Sequence, residues 1–255
     1  MRLSEAYLRY LILSDIHSNL EALEKCLELA EGRYDQMLSL GDLVGYGPDP
    51  NAVIARVRAL AKIIVRGNHD KACCGLADPQ EFNLLARLAS DWTRSQLTAE
   101  HFEFLRSLPS GPVTLDGLEF VHGSPADEDE YIFDLLEAAQ AFAAVASSLV
   151  FFGHTHLQGG FLLTADLRVR HIQAPPRSND EPASFALEPD TRYLINPGSV
   201  GQPRDGDWRA AFAIFDSDER RVDYYRTPYN LELTQRKMHQ EGLPEPLIRR
   251  LEVGR

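Results

Sequence analysis

Five short apolar runs in this chain stop abruptly at residues that can bind a metal or move a proton. This repetition constrains the fold more than any other feature. "YLILS" leads into "DIHSN", "QMLSL" into "GDLVG", "AKIIV" into "RGNHD", "LEFV" into "HGS", and "LVFFG" into "HTH". Between the first three runs lie two stretches with apolar residues at helical spacing. They are "NLEALEKCLELAEG", stopped by a glycine, and "DPNAVIARVRAL", opened by Asp49 as cap and Pro50 in the first turn. Such βαβαβ alternation predicts an α/β chain with a largely parallel, covered sheet. In open α/β sheets, residues just past the carboxyl ends of the strands converge on one crevice. Five of the eight histidines therefore fall where a single site would form.

The rest of the chain supports the same class. From Asp78 to Ser107 the pattern is helical throughout, broken near Leu97 and Thr98. "PVTLDGLEFVHG" reads as a hairpin turning at Asp116-Gly117, and a helix is expected from Asp134 to Ala146. "GFLLTADLRVRHIQ" and "WRAAFAIFDSDERRVDYYRTPY" read as further strands with turns. Residues Ala174 to Asp190 carry Pro175, Pro176, Pro182 and Pro189 and are expected to form an irregular loop. The tail from Asn230 is expected to be helical, then mixed. With no internal repeat, low-complexity tract or linker, residues 1–255 are expected to form one domain, with 78–107 inserted as a helical cap.

Charge and cysteine usage narrow the function classes. A formal charge of −12 argues against broad nucleic-acid binding, which needs a basic surface, so no stable nucleic-acid partner is expected. The three cysteines, Cys26, Cys73 and Cys74, form no disulfide framework, which favours a reducing compartment. The opening "MRLSEAYLRYLILSD" is too short and too charged to span a membrane and lacks a signal-peptide cleavage site. A cytoplasmic location is expected, and a homo-oligomer is compatible with the sequence.

At the strand ends stand Asp15 and His17; Asp42; Asn68, His69 and Asp70; His122; and His154 and His156. Carboxylate, amide oxygen and imidazole donors suit Mn²⁺, Fe or Zn²⁺, and the absence of cysteine argues against a structural thiolate zinc. Seven ligands are too many for one catalytic metal with an open position, but suffice for two if a carboxylate bridges. Two divalent cations against two aspartates leave the centre positive, a field that attracts phosphate. Two ions roughly 3.5–4 Å apart can hold a phosphoester and activate the hydroxide between them.

The order "DIH…GD…GNHD…H…GHTH", from Asp15 to His156, resembles the calcineurin-like metallophosphoesterase family. The resemblance implies a two-sheet β-sandwich flanked by helices around a dinuclear site, with manganese the favoured metal. It assigns Asp15, His17 and His156 to one ion, Asn68, His122 and His154 to the other, and Asp42 to both. His69 is then a catalyst rather than a ligand, a general acid or charge stabiliser near the leaving oxygen. Gly45-Tyr46-Gly47 and Asp70 stand where the family's Ser/Thr protein phosphatases carry Asp-Arg-Gly and Glu, which argues against that activity. The size and the helical segment are closer to the small bacterial and archaeal phosphoesterases.

The expected reaction is hydrolysis of small phosphomonoesters or phosphodiesters, with a dinucleoside-polyphosphate hydrolase as one alternative. The other is a non-catalytic scaffold on the same fold, which retention of His69 and all seven ligands speaks against. Phe82, Leu85, Ala89 and Trp92 follow a helical core stripe, leaving Asn83 and Arg94 off it as candidate substrate contacts. "NPGSVGQPRDG" reads equally as a tight turn or as a ligand loop in which Arg204 contacts phosphate. The run "DEDE", Asp127 to Glu130, is expected to be a solvated loop. His101, His171 and His239 lie outside the motifs.

Overall fold

The computed structural model describes residues 7–78, 80, 82–173 and 181–255. In the first sheet, β1 (Arg9–Leu13), β2 (Gln36–Ser39) and β3 (Ala61–Ile64) run parallel, linked by α1 (Leu20–Ala30) and α2 (Pro50–Leu60). The sheet is completed on the other side of β1 by β11 (Ala210–Asp216), β12 (Arg221–Thr227) and β9 (Ala183–Ala186), all antiparallel, in the order β3-β2-β1-β11-β12-β9. The second sheet takes the order β4-β5-β6-β10-β7-β8. Its strands are β4 (Val113–Leu115), β5 (Leu118–Phe120), β6 (Leu149–Phe151), β7 (Gly159–Leu163), β8 (Val169–Ile172) and β10 (Arg192–Asn196).

Strand periodicity explains why both sheets are covered twice. Along β1, Tyr10 and Ile12 face the inter-sheet core with Leu38, Phe120, Phe151, Ile195 and Phe215. Leu11 and Leu13 face the other way, against Leu23 and Leu27 of α1 and Val53 and Val57 of α2. The outer face of the second sheet is closed by α6 (Leu135–Ala144), through Ala138, Ala141 and Phe142 on Val150, Phe161 and Leu194. The molecule is therefore two mixed six-stranded sheets with helices on the outer faces.

Three expectations need correction. The sheets are mixed rather than largely parallel, because C-terminal strands close the open edge of β1. Within the segment read as an irregular loop, 174–180 lies outside the described residues, but 183–186 pair with β12 as strand β9. Strand β10, which lies between β6 and β7, has no clear local signal, because it is short and its buried "YLIN" sits between Pro189 and Pro197. The break at Leu97–Thr98 is where it was expected, separating α4 (Leu84–Gln96) from α5 (Ala99–Ser107). However, α4 begins only at Leu84, because Asn83 is its N-cap and accepts from the Ala86 amide at 3.0 Å.

The helical stripe on α4 packs as expected. Phe82, Leu85, Ala89 and Trp92 join Tyr46 and the C-terminal helices α7 (Leu231–Gln240) and α8 (Glu245–Val253) in a separate apolar cluster. All three cysteines are buried and free. Among the described residues no helix is long and apolar enough to cross a membrane.

One buried side chain ties the two sheets together near the strand ends. The Gln158 amide nitrogen lies within hydrogen-bond distance of the carbonyls of Pro197, Phe212 and Tyr225, at 3.1, 3.2 and 3.1 Å. Its oxygen accepts from Arg226 Nε at 3.0 Å. Gln158→Leu keeps the bulk but leaves the buried Arg226 Nε without its acceptor and these carbonyls without this donor. It should cost about 3 kcal/mol, read as a lower urea midpoint at unchanged slope.

Candidate metal centre

The loops after β1, β2, β5 and β6, with the first turn of the short helix α3 (Asn68–Cys73), meet at one end of the sandwich. They turn sharply. Asp15, His17, Asp42, His154 and His156 all adopt left-handed backbone, with φ of 53°, 47°, 53°, 66° and 60°. Each such residue costs on the order of 1–2 kcal/mol, and Asp and His are among the types that tolerate the conformation best. Backbone hydrogen bonds hold the turns against that cost. The His17 amide donates to Asp42 O at 2.9 Å, Gly153 to His122 O at 2.8 Å, and Gly201 to Asp15 O at 3.0 Å. Gly67 is required for close approach, since a Cβ there would lie 2.1 Å from Asp42 Oδ1.

The orientation of each imidazole is set by a backbone carbonyl. His17 Nδ1 lies 3.0 Å from Val44 O, His122 Nδ1 2.8 Å from Leu40 O, and His156 Nδ1 2.6 Å from Gln202 O. His154 uses the other nitrogen, Nε2, toward Asp129 O at 3.2 Å. A ring that donates to a carbonyl presents a bare lone pair on its remaining nitrogen. The remaining ring nitrogens face one another: His17 Nε2 and His156 Nε2 are 3.1 Å apart, and His122 Nε2 and His154 Nδ1 are 3.2 Å apart. Between the pairs stands Asp42, whose Oδ2 is 3.5 Å from both His17 Nε2 and His122 Nε2 and, among the described residues, has no hydrogen-bond partner. Asp15 Oδ1 is 3.3 Å from His156 Nε2, and Asn68 Oδ1 is 3.2 Å from His122 Nε2.

Buried acceptors this close repel one another unless positive charge lies among them. Donors bound about 2.1 Å from one ion are themselves roughly 3–4 Å apart, the spacing found here. Two groups fit this test: Asp15, His17, Asp42 and His156, and Asp42, His122 and His154, with donor atoms in each within 4.8 Å of one another. Asp42 belongs to both. The electrostatics agree. Burial holds His17 and His156 well below the usual histidine range, and His154 down to about 3. Burial also opposes charge on His122, but Asp42 outweighs it and lifts His122 to about 10, while His122 keeps Asp42 ionised against its own burial. A proton on His122 thus stands where a cation would go, and metal uptake would displace it.

His69 is not among the converging donors. Its backbone amide donates to Asp42 Oδ1 at 2.9 Å, while its ring packs between Tyr46 and Phe82, with centroids 4.4 and 4.7 Å away. Among the described residues its Nδ1 has no partner. Asp70 does not orient it, because that carboxylate accepts from the amides of Gly67 at 3.0 Å and Val44 at 3.2 Å. Burial lowers His69 to about 4.

A cleft of about 290 Å³ opens over the centre, lined by Tyr46, Asn68, His69, Phe82, Tyr131 and His154 among others. Asn83 lines it too, although its side-chain oxygen is committed to capping α4. Arg94 is a correction: it is exposed beside Gly75, with its guanidinium over the Phe102 ring at 5.8 Å, and does not line the cleft. The helical phase that takes it off the core stripe points it toward solvent. Arg204 lies at the centre, its amide donating to His156 O at 3.3 Å and its guanidinium near Tyr46. The "NPGSVGQPRDG" loop braces the ligand turns through Gly201 and Gln202.

The "DEDE" run is a loop with Asp127, Asp129 and Glu130 exposed, as expected, but it is tied to the site. Partly buried Glu128 pairs with Arg66 at 2.8 Å and Lys71 at 3.0 Å, and the Asp129 carbonyl receives His154. Tyr131, just after it, stacks on His154 with centroids 3.7 Å apart. Tyr131 and Gln202 carry no sequence signal of their own. Tyr46 does, being held left-handed at φ 60° between two glycines.

Comparison with known proteins agrees with this geometry. The sequence model of the calcineurin-like phosphoesterase superfamily domain matches residues 8–220. An uncharacterized protein of Methanocaldococcus jannaschii is 34% identical over 257 residues, covering 96% of this chain and 97% of its own length. The crystal structure of a metallophosphoesterase from Sphaerobacter thermophilus is 43% identical, with a TM-score of 0.84 over 98% of this chain and 100% of its own. A hypothetical protein of Pyrococcus horikoshii shares the fold at 21% identity, with a TM-score of 0.76 over 97% of this chain and 98% of its own. The chain therefore belongs to the calcineurin-like phosphoesterase superfamily, and its buried His/Asp cluster forms a candidate divalent-metal site.

Proposed function

We propose that this protein is a two-metal phosphoesterase acting on small phosphomonoesters or phosphodiesters. Asp15, His17 and His156 would hold one ion, Asn68, His122 and His154 the other, and Asp42 both. The observation that carries the reading is the set of facing imidazole nitrogens around Asp42 Oδ2, which has no hydrogen-bond partner among the described residues. The mixed oxygen and nitrogen donors suit Mn²⁺, Fe or Zn²⁺, and the family resemblance favours Mn²⁺ among them. When bound, the ions would neutralise phosphoryl charge and lower the pKa of an attacking water.

The remaining work falls to the chain. His69 sits at the cleft wall beside Asn68, close enough to serve the leaving oxygen without occupying a ligand position. It is neutral in the free protein, and the negative charge of an incoming phosphoryl group favours its protonation. Arg204 adds a fixed positive charge beside Asp15 and His156. Residues 78–107 act as a cap through Phe82, Asn83 and Ala86, which form one wall of the cleft. A cleft of this size admits a small ester but not a folded phosphoprotein.

Three outcomes are expected. Chelated protein should hydrolyse neither aryl phosphates nor phosphodiesters, and Mn²⁺ should restore activity. Excess Mn²⁺ at about 100 times its Kd should also stabilise the fold by about 2.7 kcal/mol for each occupied site, a rise in Tm of roughly 5–10 °C per site by calorimetry. Activity that persists after complete chelation would exclude the proposal. Asp42→Ala should lose metal from both positions in elemental analysis and lose hydrolysis with it. His69→Ala should keep both metals yet lose about 10²–10⁴-fold in kcat, measured on a substrate with a poor leaving group.

A further inference from the structure

Two arginines lie against Tyr46, a residue that lines the cleft. Arg204 follows β10, and its guanidinium carbon lies 5.9 Å from the centre of the Tyr46 ring. Arg250, on α8, lies 6.0 Å from the same ring centre. That ring is 4.8 Å from His17 and 4.4 Å from His69, so both guanidiniums flank the catalytic wall. Among the described residues neither arginine forms an ion pair. Arg204 Nη2 donates to the Gln202 side-chain oxygen at 3.1 Å, and its buried Nε has no partner. Arg250 Nε donates to the Arg255 carbonyl. Nearby arginines behave differently: Arg209 pairs with Asp207 and Arg226 with Asp205.

This like-charged pair is held in place by packing. Leu247, Ile248 and Leu251 of α8 bury themselves against Tyr46, Ala86 and Ala89. The Gly206 amide donates to the Gly254 carbonyl at 2.9 Å, joining the Arg204 loop to the end of α8. Tyr46 lies in left-handed backbone between the two. Burial, and then the charge of Arg204, lower the proton affinity of Arg250, so the arrangement is unfavourable by itself. Guanidinium forks match phosphoryl oxygens in geometry and charge, and an anion between the two would relieve their repulsion.

We propose that Arg204 and Arg250 form a second anion subsite, which holds a second phosphoryl group linked to the one being hydrolysed. Compounds with two or more linked phosphoryl groups are then better substrates than simple monoesters. The inference rests on the phosphoesterase reading for the first phosphoryl group. Arg250 lies beyond the matched stretch 8–220, so the C-terminal helix of this chain supplies half of the subsite.

Calorimetric titration of the Mn²⁺-loaded protein with methylphosphonate and methylenediphosphonate tests the subsite with ligands that are not hydrolysed. The diphosphonate should bind more tightly. Arg250→Gln should weaken it roughly tenfold while changing methylphosphonate less than about twofold. Arg250→Lys, which keeps the charge but not the fork, should lose part of the preference, and it serves as the test if the Gln variant does not fold. An unchanged ratio of the two affinities in the variant tested, with both ligands still bound, overturns the subsite and leaves the phosphoesterase reading standing. Failure of the loaded wild-type protein to bind either phosphonate overturns both.

Discussion

Asp42 is the residue on which the rest of the site depends. Its Oδ1 is spent on the His69 amide, at 2.9 Å. Its Oδ2 faces the Nε2 atoms of His17 and His122 in a place closed to water. A buried carboxylate is tolerable only with compensating charge, and here every neighbour that could supply it is a histidine oriented by a backbone carbonyl. The arrangement therefore selects for cations. Without metal, the Asp42–His122 pair retains a proton in the same position.

The donors meet because two sheets deliver loops to one end of the sandwich, and because those loops accept strained backbone. Five of the candidate ligands are left-handed. Strain of this kind persists only where surrounding structure over-determines it. Ser199 and Gly201 grip the Asp15 carbonyl, and Asn196 grips the Gly153 carbonyl and the Thr155 hydroxyl. Gln158 anchors the far end of the "GHTH" loop to the other sheet. The candidate ligands are thus held in place by the protein itself.

The cleft is asymmetric in its supports. One wall is built from the acidic "DEDE" stretch, pinned by Arg66 and Lys71, so that Tyr131 lies flat on His154. The other wall is Tyr46, backed by α4 and the C-terminal helices. Excess negative charge is thus consumed in ion pairs at one side, while uncompensated positive charge collects at the other. That polarity suits an anionic ligand in a protein whose net charge is −12.

The strand ends were legible in the sequence because short apolar runs stop at Asp, His and Gly, and the chemistry of those residue types limits what they can do together. Hence the first three strands, α1, α2, the Asp116-Gly117 hairpin and the convergence of seven donors with His69 follow from residue order alone. Strands β9 and β10 do not, since each is short, flanked by proline and stable only through pairing with strands distant in sequence. Asn83 reads as a free polar residue until the helix start makes it a cap, and Arg94 as a substrate contact until helical phase turns it outward. Glu128, Tyr131, Gln202 and Arg250 acquire their places only in three dimensions. Local sequence determines which groups can bind a cation and where strands end. Only long-range packing decides which distant side chains orient those groups, because that depends on contacts between residues up to about two hundred positions apart, such as Tyr46 with Arg250.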